Sequence, residues 1–459
     1  MAGGALPGFR DFYPDEFAHR AHIMRAWREV ARRYAFVEYD GPPLEPLDLY
    51  TKKSGDEIVG QLYEFTDKGD RRVALRPEMT PTFARMVAAR ANGLRKPVKW
   101  FSIPQLFRYE RQQKGRLKEH FQLNVDIVGE ASEVADAELL AVAIDVMREL
   151  GLTSADVRAR VSDRRLLFSM LSAIGVAESV HTTVLSVLDK KGREQQNSAN
   201  NRLREAGLDD VQIGAIFSWM YSPTTIASLR SDFGDKRPVR DLLDQFASYQ
   251  AHVDALGIGD WVELDLSIVR GLAYYTGIVF ELFDAKGELR AICGGGRYDN
   301  LLKDLGGVDL PALGFGMGDV VLGELLKERG LMTAATPETP DLYVIGGPGA
   351  PAAGTAGALQ LVAALRRAAF SVDYGLSEKK YASPPRGQFE TAQKAGAHAA
   401  IYYDGTGGIT VKGVIGKFAE APTLQLPLVK LLAADEKTIN GLREFVQDVR
   451  RRSSADSGS

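Results

Sequence analysis

Residues 107–126 read FRYERQQKGRLKEHFQLNVD. Residues 101–108 and 121–128 have the composition of two β-strands, and between them lies a charged loop carrying Arg111, Lys114, Arg116 and Lys118. Side chains on a strand alternate between faces, so even spacing puts groups on one side. Gln122, Asn124 and Asp126 therefore share a face and point into a common cavity. Arg108 and Glu110 have the same spacing at the other end of the loop. An arginine turned inward from a sheet requires an anionic partner, because an unpaired buried charge is costly. A basic loop of this kind can fold over a polyphosphate. The same charges also suit an exposed, solvated hairpin, and this stretch alone does not choose between the two.

Two further stretches share this chemistry. Residues 270–281 read RGLAYYTGIVFE and residues 294–301 read GGGRYDNL. One arginine, two adjacent tyrosines and a run of glycines suit a pocket for a small polar molecule beside a phosphate. The cation holds an anion, the aromatics wall the pocket, and the glycines admit close backbone approach. A plain hairpin with a structural arginine accounts for these residues equally well. In LRPEMT, 75–80, Glu78 can accept from an ammonium group and Thr80 can add a hydroxyl. Alternatively, Pro77 ends a strand and Thr80 caps the helix PTFARMVAAR.

With 459 residues the chain has room for several domains, each with its own core. Its 57 basic and 60 acidic residues leave a net charge of −3, so any nucleic-acid contact must come from a local patch. The single cysteine, Cys293, excludes an intramolecular disulfide and fits a reducing compartment. The six histidines have no metalloprotease spacing, so no protein-held metal is expected. No signal peptide and no apolar run of membrane-spanning length are evident, which points to a cytoplasmic protein without membrane association. Residues 15–35 and 135–150 have helical periodicity, and FVEYDGPPLEP suggests a strand ending at Pro42-Pro43. The stretch 165–260 is helix-rich and reads as an insertion between two β-rich parts, 1–164 and 261–330. After a linker near 331–341, strands and helices alternate over 340–450, the pattern of a separate α/β domain with a mainly parallel sheet. Residues 451–459, RRSSADSGS, read as a disordered tail.

Together these segments resemble the histidyl-tRNA synthetases, class II aminoacyl-tRNA synthetases, over nearly the whole chain. GFRDFYP opens the resemblance. FVEYDGPPLEP is similar to class II motif 1 and FRYERQQKGR to motif 2, while RGLAYYTGIVFE and GGGRYDNL are similar to the two segments peculiar to the histidine enzymes. The resemblance implies an α+β catalytic domain on an antiparallel sheet, a helical insertion and a C-terminal α/β anticodon-binding domain. It implies activation of L-histidine with ATP, then transfer to the 3′ end of tRNA(His), by a homodimer formed through motif 1.

By position, Glu78, Thr80 and Gln122 would hold the α-ammonium of histidine, and Asp126, Tyr274 and Tyr275 would read its imidazole. Arg270 and Arg108 would grip the α-phosphate from opposite sides. Glu110, Arg116 and His120 would complete the ATP site, with Mg²⁺ accompanying the phosphates. Three positions depart from the family pattern. Val321 replaces the motif 3 arginine, His120 stands where a phenylalanine stacks on adenine, and Ala273 replaces the aspartate of RGLDYY. Two other readings are a histidine-sensing regulatory subunit of ATP phosphoribosyltransferase and an inactive tRNA-binding paralogue. In the C-terminal domain Lys379, Lys380, Arg386, Lys394 and Lys412 could meet an anticodon stem.

Overall fold

A computed structural model describes residues 4–51, 59–110, 115, 117–191, 195–222, 224–270, 274–332, 338–346, 356–376, 385–403, 407–414 and 421–456. The chain forms two compact units, residues 1–336 and 337–459.

The first unit is built on a nine-stranded sheet that is antiparallel apart from two edge pairings. Its strands are β1 (Val37–Glu38), β2 (Val98–Ser102), β3 (Gln105–Phe107), β4 (Glu119–Val128), β5 (Val157–Asp163), β6 (Val262–Leu264), β7 (Ile278–Asp284), β8 (Cys293–Arg297) and β9 (Ala312–Gly318). The order is β1-β2-β4-β9-β8-β7-β5-β6, with β3 pairing on β4. The strand expected in FVEYDGPPLEP to end at Pro42-Pro43 is shorter, Val37–Glu38.

Alternation along β4 gives the sheet two unlike faces. Leu123, Val125 and Ile127 join Phe280, Phe315 and Met317 in the main core. Trp27 and Val30 of helix α1 (Pro14–Arg33) and Leu140 and Ile144 of helix α2 (Glu133–Glu149) lie in the same core. Phe280 and Phe315 meet edge-to-face with ring centres 6.1 Å apart. Gly295 lies between them, where a Cβ would come within 2.4 Å of the Phe315 Cβ. The opposite face is polar and glycine-rich, and it carries the candidate site.

Helices from Arg164 to Ala255 surround a core of their own, with Leu166, Leu188, Ile216, Trp219 and Leu243 among its buried members. The second unit has the sheet order β11-β10-β12-β13-β14, made of β10 (Leu342–Gly346), β11 (Val372–Tyr374), β12 (Ala399–Tyr403), β13 (Gly408–Gly413) and β14 (Thr423–Pro427). It is mixed rather than mainly parallel: β10 pairs in parallel with β11 and β12, whereas β12-β13 and β13-β14 are antiparallel. Only four residues separate β12 from β13, too few for a parallel crossover. The last helix, Glu436–Asp456, runs beyond the expected domain end at 450; Arg452 pairs with Asp448 one turn back at 2.7 Å.

Candidate functional site

The floor of the site is defined by register. On the polar face Gly294 of β8 lies opposite Gly316 of β9, and Gly316 lies opposite Asn124 of β4. Gly314 is in turn paired with Asp126. Each glycine leaves room for a named side chain. A Cβ on Gly294 would come within 2.2 Å of the Arg270 Nη1, one on Gly316 within 2.8 Å of the Gln122 amide, and one on Gly314 within 2.1 Å of the Asp126 carboxylate. Arg270, Gln122 and Asp126 thus lie over a strip of bare backbone. Paired strands are about 4.8 Å apart, so the Arg270 guanidinium sits roughly one strand from Gln122.

Arg270 is locked from several directions. It pairs with Glu281, which is directly opposite Gly294 on β7. Its guanidinium also lies 5.8 Å from the Tyr275 ring centre. Burial works against its charge, but the oxygens of Tyr275 and Glu281 raise its pKa above the ordinary arginine value. Its backbone is left-handed, with φ at +57°, a conformation that costs a side-chain-bearing residue about 1–2 kcal/mol.

The aromatics form a wall beside Asp126. Tyr274 and Tyr275 have ring centres 4.9 Å apart, and Tyr298 lies 5.7 Å from Tyr274. Tyr39, Phe83 and Trp100 continue the wall, with 5.4 Å between Tyr39 and Trp100. The Tyr298 hydroxyl donates to Asp126. Burial raises the Asp126 carboxyl to about 7, against that hydrogen bond, which favours its charge. Burial, then Tyr275 and Glu78, push the Tyr274 phenol well above its ordinary value.

Glu78 is buried and bears electrostatically on both Tyr274 and Tyr275. The neighbouring Arg76 fixes its segment, donating to the Gln105 carbonyl at 3.0 Å, the Gly41 carbonyl at 2.8 Å and Asp40 at 2.7 Å. Thr80 does not cap the following helix. It is the first residue of α3 (Thr80–Arg90), and the cap position is Met79, whose side chain makes no cap bond. The Thr80 hydroxyl is therefore not spent on capping.

Arg108 donates from Nε to the Pro77 carbonyl at 2.9 Å, and Glu110 lies 4.0 Å from its Nη1. It also bears electrostatically on His120. Burial, then Arg108 and Arg10, push the His120 imidazole down to about 3. His120 is accordingly neutral, and its ring would lie 3.8 Å from a Cβ on Gly318. Val321 takes its place nearby, its methyl 3.3 Å from a Cβ on Gly115 of the charged loop. Arg116 and Ala273 lie outside the described residues, as do Arg111 and Lys114.

Several partners were not singled out in the sequence. Tyr298 and Glu281 stand inside the two quoted stretches, but their bonds join positions 172 and 11 residues apart. Asp319 has a clear task. It accepts from the Phe121 backbone N–H at 2.9 Å and from Arg10 at 2.9 Å, and Arg10 also donates to Glu119 at 2.6 Å. GFRDF at the N-terminal end thereby ties β4 to the start of helix α4 (Asp319–Glu328).

Comparison with known proteins bears on the same residues. Positions 8–318 match the histidyl-tRNA synthetase family. The chain belongs to this family. It is 48% identical to the histidine--tRNA ligase of Opitutus terrae over 412 residues, 87% of this chain and 90% of that protein. It is 37% identical to the histidine--tRNA ligase of Halobacterium salinarum over 92% of this chain and 96% of the relative. Among solved structures, the histidyl-tRNA synthetase of Nostoc sp. PCC 7120 shares the fold with a TM-score of 0.77 at 19% identity, covering 98% of this chain and 100% of that one. An ATP phosphoribosyltransferase regulatory subunit/histidyl-tRNA synthetase from Bacillus halodurans also shares it, with a TM-score of 0.70 at 19% identity, covering 88% and 98%. At these identities the structural likeness speaks for the class II synthetase fold, in which synthetases and their regulatory relatives alike are built.

Proposed function

We propose that the hollow above the glycine floor activates histidine with ATP, and that the chain then passes the histidyl group to tRNA(His). The observation that carries this reading is the alignment of Arg270, Gln122 and Asp126 over Gly294, Gly316 and Gly314. A cation, an amide and a carboxylate then face one small hollow, walled by tyrosines. Activity rests on family membership and on 48% identity over most of the chain to a histidine--tRNA ligase.

In the first step a carboxylate oxygen of histidine attacks the α-phosphorus of ATP. A new P–O bond forms, the bond to the β-phosphate oxygen breaks, and pyrophosphate leaves. Little covalent work falls to the protein, so orientation and charge stabilisation carry the rate. Arg270 holds the substrate carboxylate and the α-phosphate, and Arg108 approaches that phosphate from the His120 side. Fixed guanidinium groups in a water-poor hollow stabilise charge that builds during displacement. Glu78, Thr80 and Gln122 take the α-ammonium. Asp126, Tyr274 and Tyr275 read the imidazole, and a site lined with paired polar groups rejects ligands that leave them unpaired. Glu110 and Arg116 serve the ATP, whose phosphates bring Mg²⁺ with them. A neutral His120 and the methyls of Val321 supply an apolar seat for the adenine where the usual stacking pair is absent.

The second unit is assigned to the anticodon, with Arg386 and Lys394 exposed and Lys412 half-buried; Lys379 and Lys380 lie outside the described residues. The helical stretch 165–260 is assigned to the acceptor stem. We place the protein in the cytoplasm as a homodimer formed through the FVEYDGPPLEP stretch. There Val37 on the edge strand β1 is 61% exposed. Among the described residues no helix is long and apolar enough to cross a membrane.

Histidine-dependent exchange of radiolabelled pyrophosphate into ATP tests the reading. The chain should catalyse exchange with histidine and with no other standard amino acid. Histidine binding without exchange would instead establish the sensor, and tRNA binding without either would establish the inactive paralogue.

A further inference from the structure

Arg164 stands at the end of β5 as the first residue of the helix Arg164–Ala173 that opens the helical stretch. It is buried, and it touches both ends of the segment 270–277 that carries Arg270 and the two tyrosines. Its backbone N–H donates to the Gly277 carbonyl at 3.1 Å. Its Nη1 donates to the Val269 carbonyl at 3.0 Å and reaches the Arg270 carbonyl at 3.4 Å. One residue thus binds the backbone at Val269, Arg270 and Gly277. At the carbonyl end the chain is in the left-handed region, φ +57° at Arg270. Such a backbone persists only where its surroundings over-determine it. A planar guanidinium with donors in a fixed fork is suited to that task, and a flexible ammonium is not.

On its other side Arg164 faces the helical stretch. Its guanidinium lies 5.9 Å from the Phe168 ring centre, and Phe168 is stacked on His181 at 5.4 Å with 10° between planes. His181 is itself buried, its Nε2 3.2 Å from the Val176 carbonyl. An unbroken series of contacts runs from His181 through Phe168 and Arg164 to the backbone of Arg270, whose side chain lies over Gly294.

We propose that Arg164 is a positioning residue for histidine activation: it holds the strained backbone of Arg270 so that this guanidinium lies over the glycine floor. The inference rests on the assignment of Arg270 to the substrate carboxylate. Arg164 acts on the reaction through the backbone of Arg270.

A double-mutant cycle in histidine affinity, read by titration calorimetry on the full chain, tests it. Misplacing a positioned group by about an ångström can cost on the order of 100-fold, so Arg164→Ala should weaken histidine binding and lower exchange kcat/KM by about 10- to 100-fold. Residues that act as one unit are not additive, so in an Arg270→Ala background the same change should leave histidine affinity within about twofold. Arg164→Lys keeps a buried cation and carries the cycle if the alanine variant does not fold; its loss should lie between parent and Arg164→Ala. Equal losses in the two backgrounds would overturn the proposal, as would parental affinity in Arg164→Ala or Arg164→Lys. Absence of exchange in the parent would defeat the proposed function instead, while the binding cycle would still report on Arg164.

Discussion

Gly294 has to be glycine because the Arg270 guanidinium occupies the space its side chain would take. A methyl there would come within 2.2 Å of Nη1, and the group most easily moved is the far end of the arginine. Gly294→Ala should therefore lower histidine-dependent exchange by about 100-fold while circular dichroism and the thermal midpoint stay near those of the parent. Retained activity would detach Arg270 from the reaction. Gly441→Ala serves as a control, since its Cβ meets open space in the last helix, and it should leave exchange unchanged. Asp126 carries a pH signature. Its carboxyl is raised from 3.8 to about 7, so between those values the folded protein retains a proton that the unfolded chain has released. Stability contributed by this group is present below about pH 4 and is lost as pH rises to about 7. Asp126→Asn removes that loss, so its thermal midpoint should gain on the parent's as pH rises from 4 to 7. Parallel curves would show that the carboxyl ionises normally. The shared face of Gln122, Asn124 and Asp126 was legible in the sequence because strand alternation is a local rule. Tyr298 and Arg164 were not, because their contacts cross 172 and 105 residues and follow from strand order alone.

Strand β4 does two jobs, and its ends are secured accordingly. Leu123, Val125 and Ile127 enter the core, Gln122 and Asp126 lie over the glycine floor, and its first residue, Glu119, is paired with Arg10. Arg10 also pairs with Asp319, so it balances two buried carboxylates. Burial raises the Asp319 carboxyl, and Arg10 opposes that rise. Removing the cation takes the paired charge from both acids and leaves them the Phe121 N–H and the Gln105 amide. Arg10→Ala should destabilise the first unit by about 2–3 kcal/mol, below the range for a fully enclosed pair because Arg10 keeps 25% exposure. Urea unfolding would check this, and an unchanged midpoint would reduce the network to surface decoration. Among the elements, long helices such as Glu133–Glu149 were legible from periodicity. Pairing direction in the second sheet was not, because β12 and β13 have the composition of strands in either arrangement. The four residues between them decide it. The final helix was cut short by composition: Ser-Ser-Ala-Asp looks like tail, yet it follows a helix that needs only to continue.

At the scale of the molecule, two units have separate cores, and the proposed reading puts histidine activation in the first and the anticodon on the second. A fragment ending at Thr336 should retain histidine-dependent exchange within about tenfold, since the glycine floor and its walls lie in the first unit. It should lose charging of tRNA(His), and the salt dependence of tRNA binding should weaken with the phosphate contacts removed. Loss of exchange on truncation would mean that the second unit is needed for the first step. The central claim concerns convergence: guanidinium groups 162 positions apart in the chain, on Arg108 and Arg270, meet at one phosphate beside the tyrosine wall. A crystal structure with a non-hydrolysable histidyl-adenylate analogue measures this directly. Both guanidinium groups should lie about 3 Å from oxygens of its phosphate or phosphate surrogate, with the imidazole against Asp126. An analogue bound with either arginine turned away from that group would contradict the account.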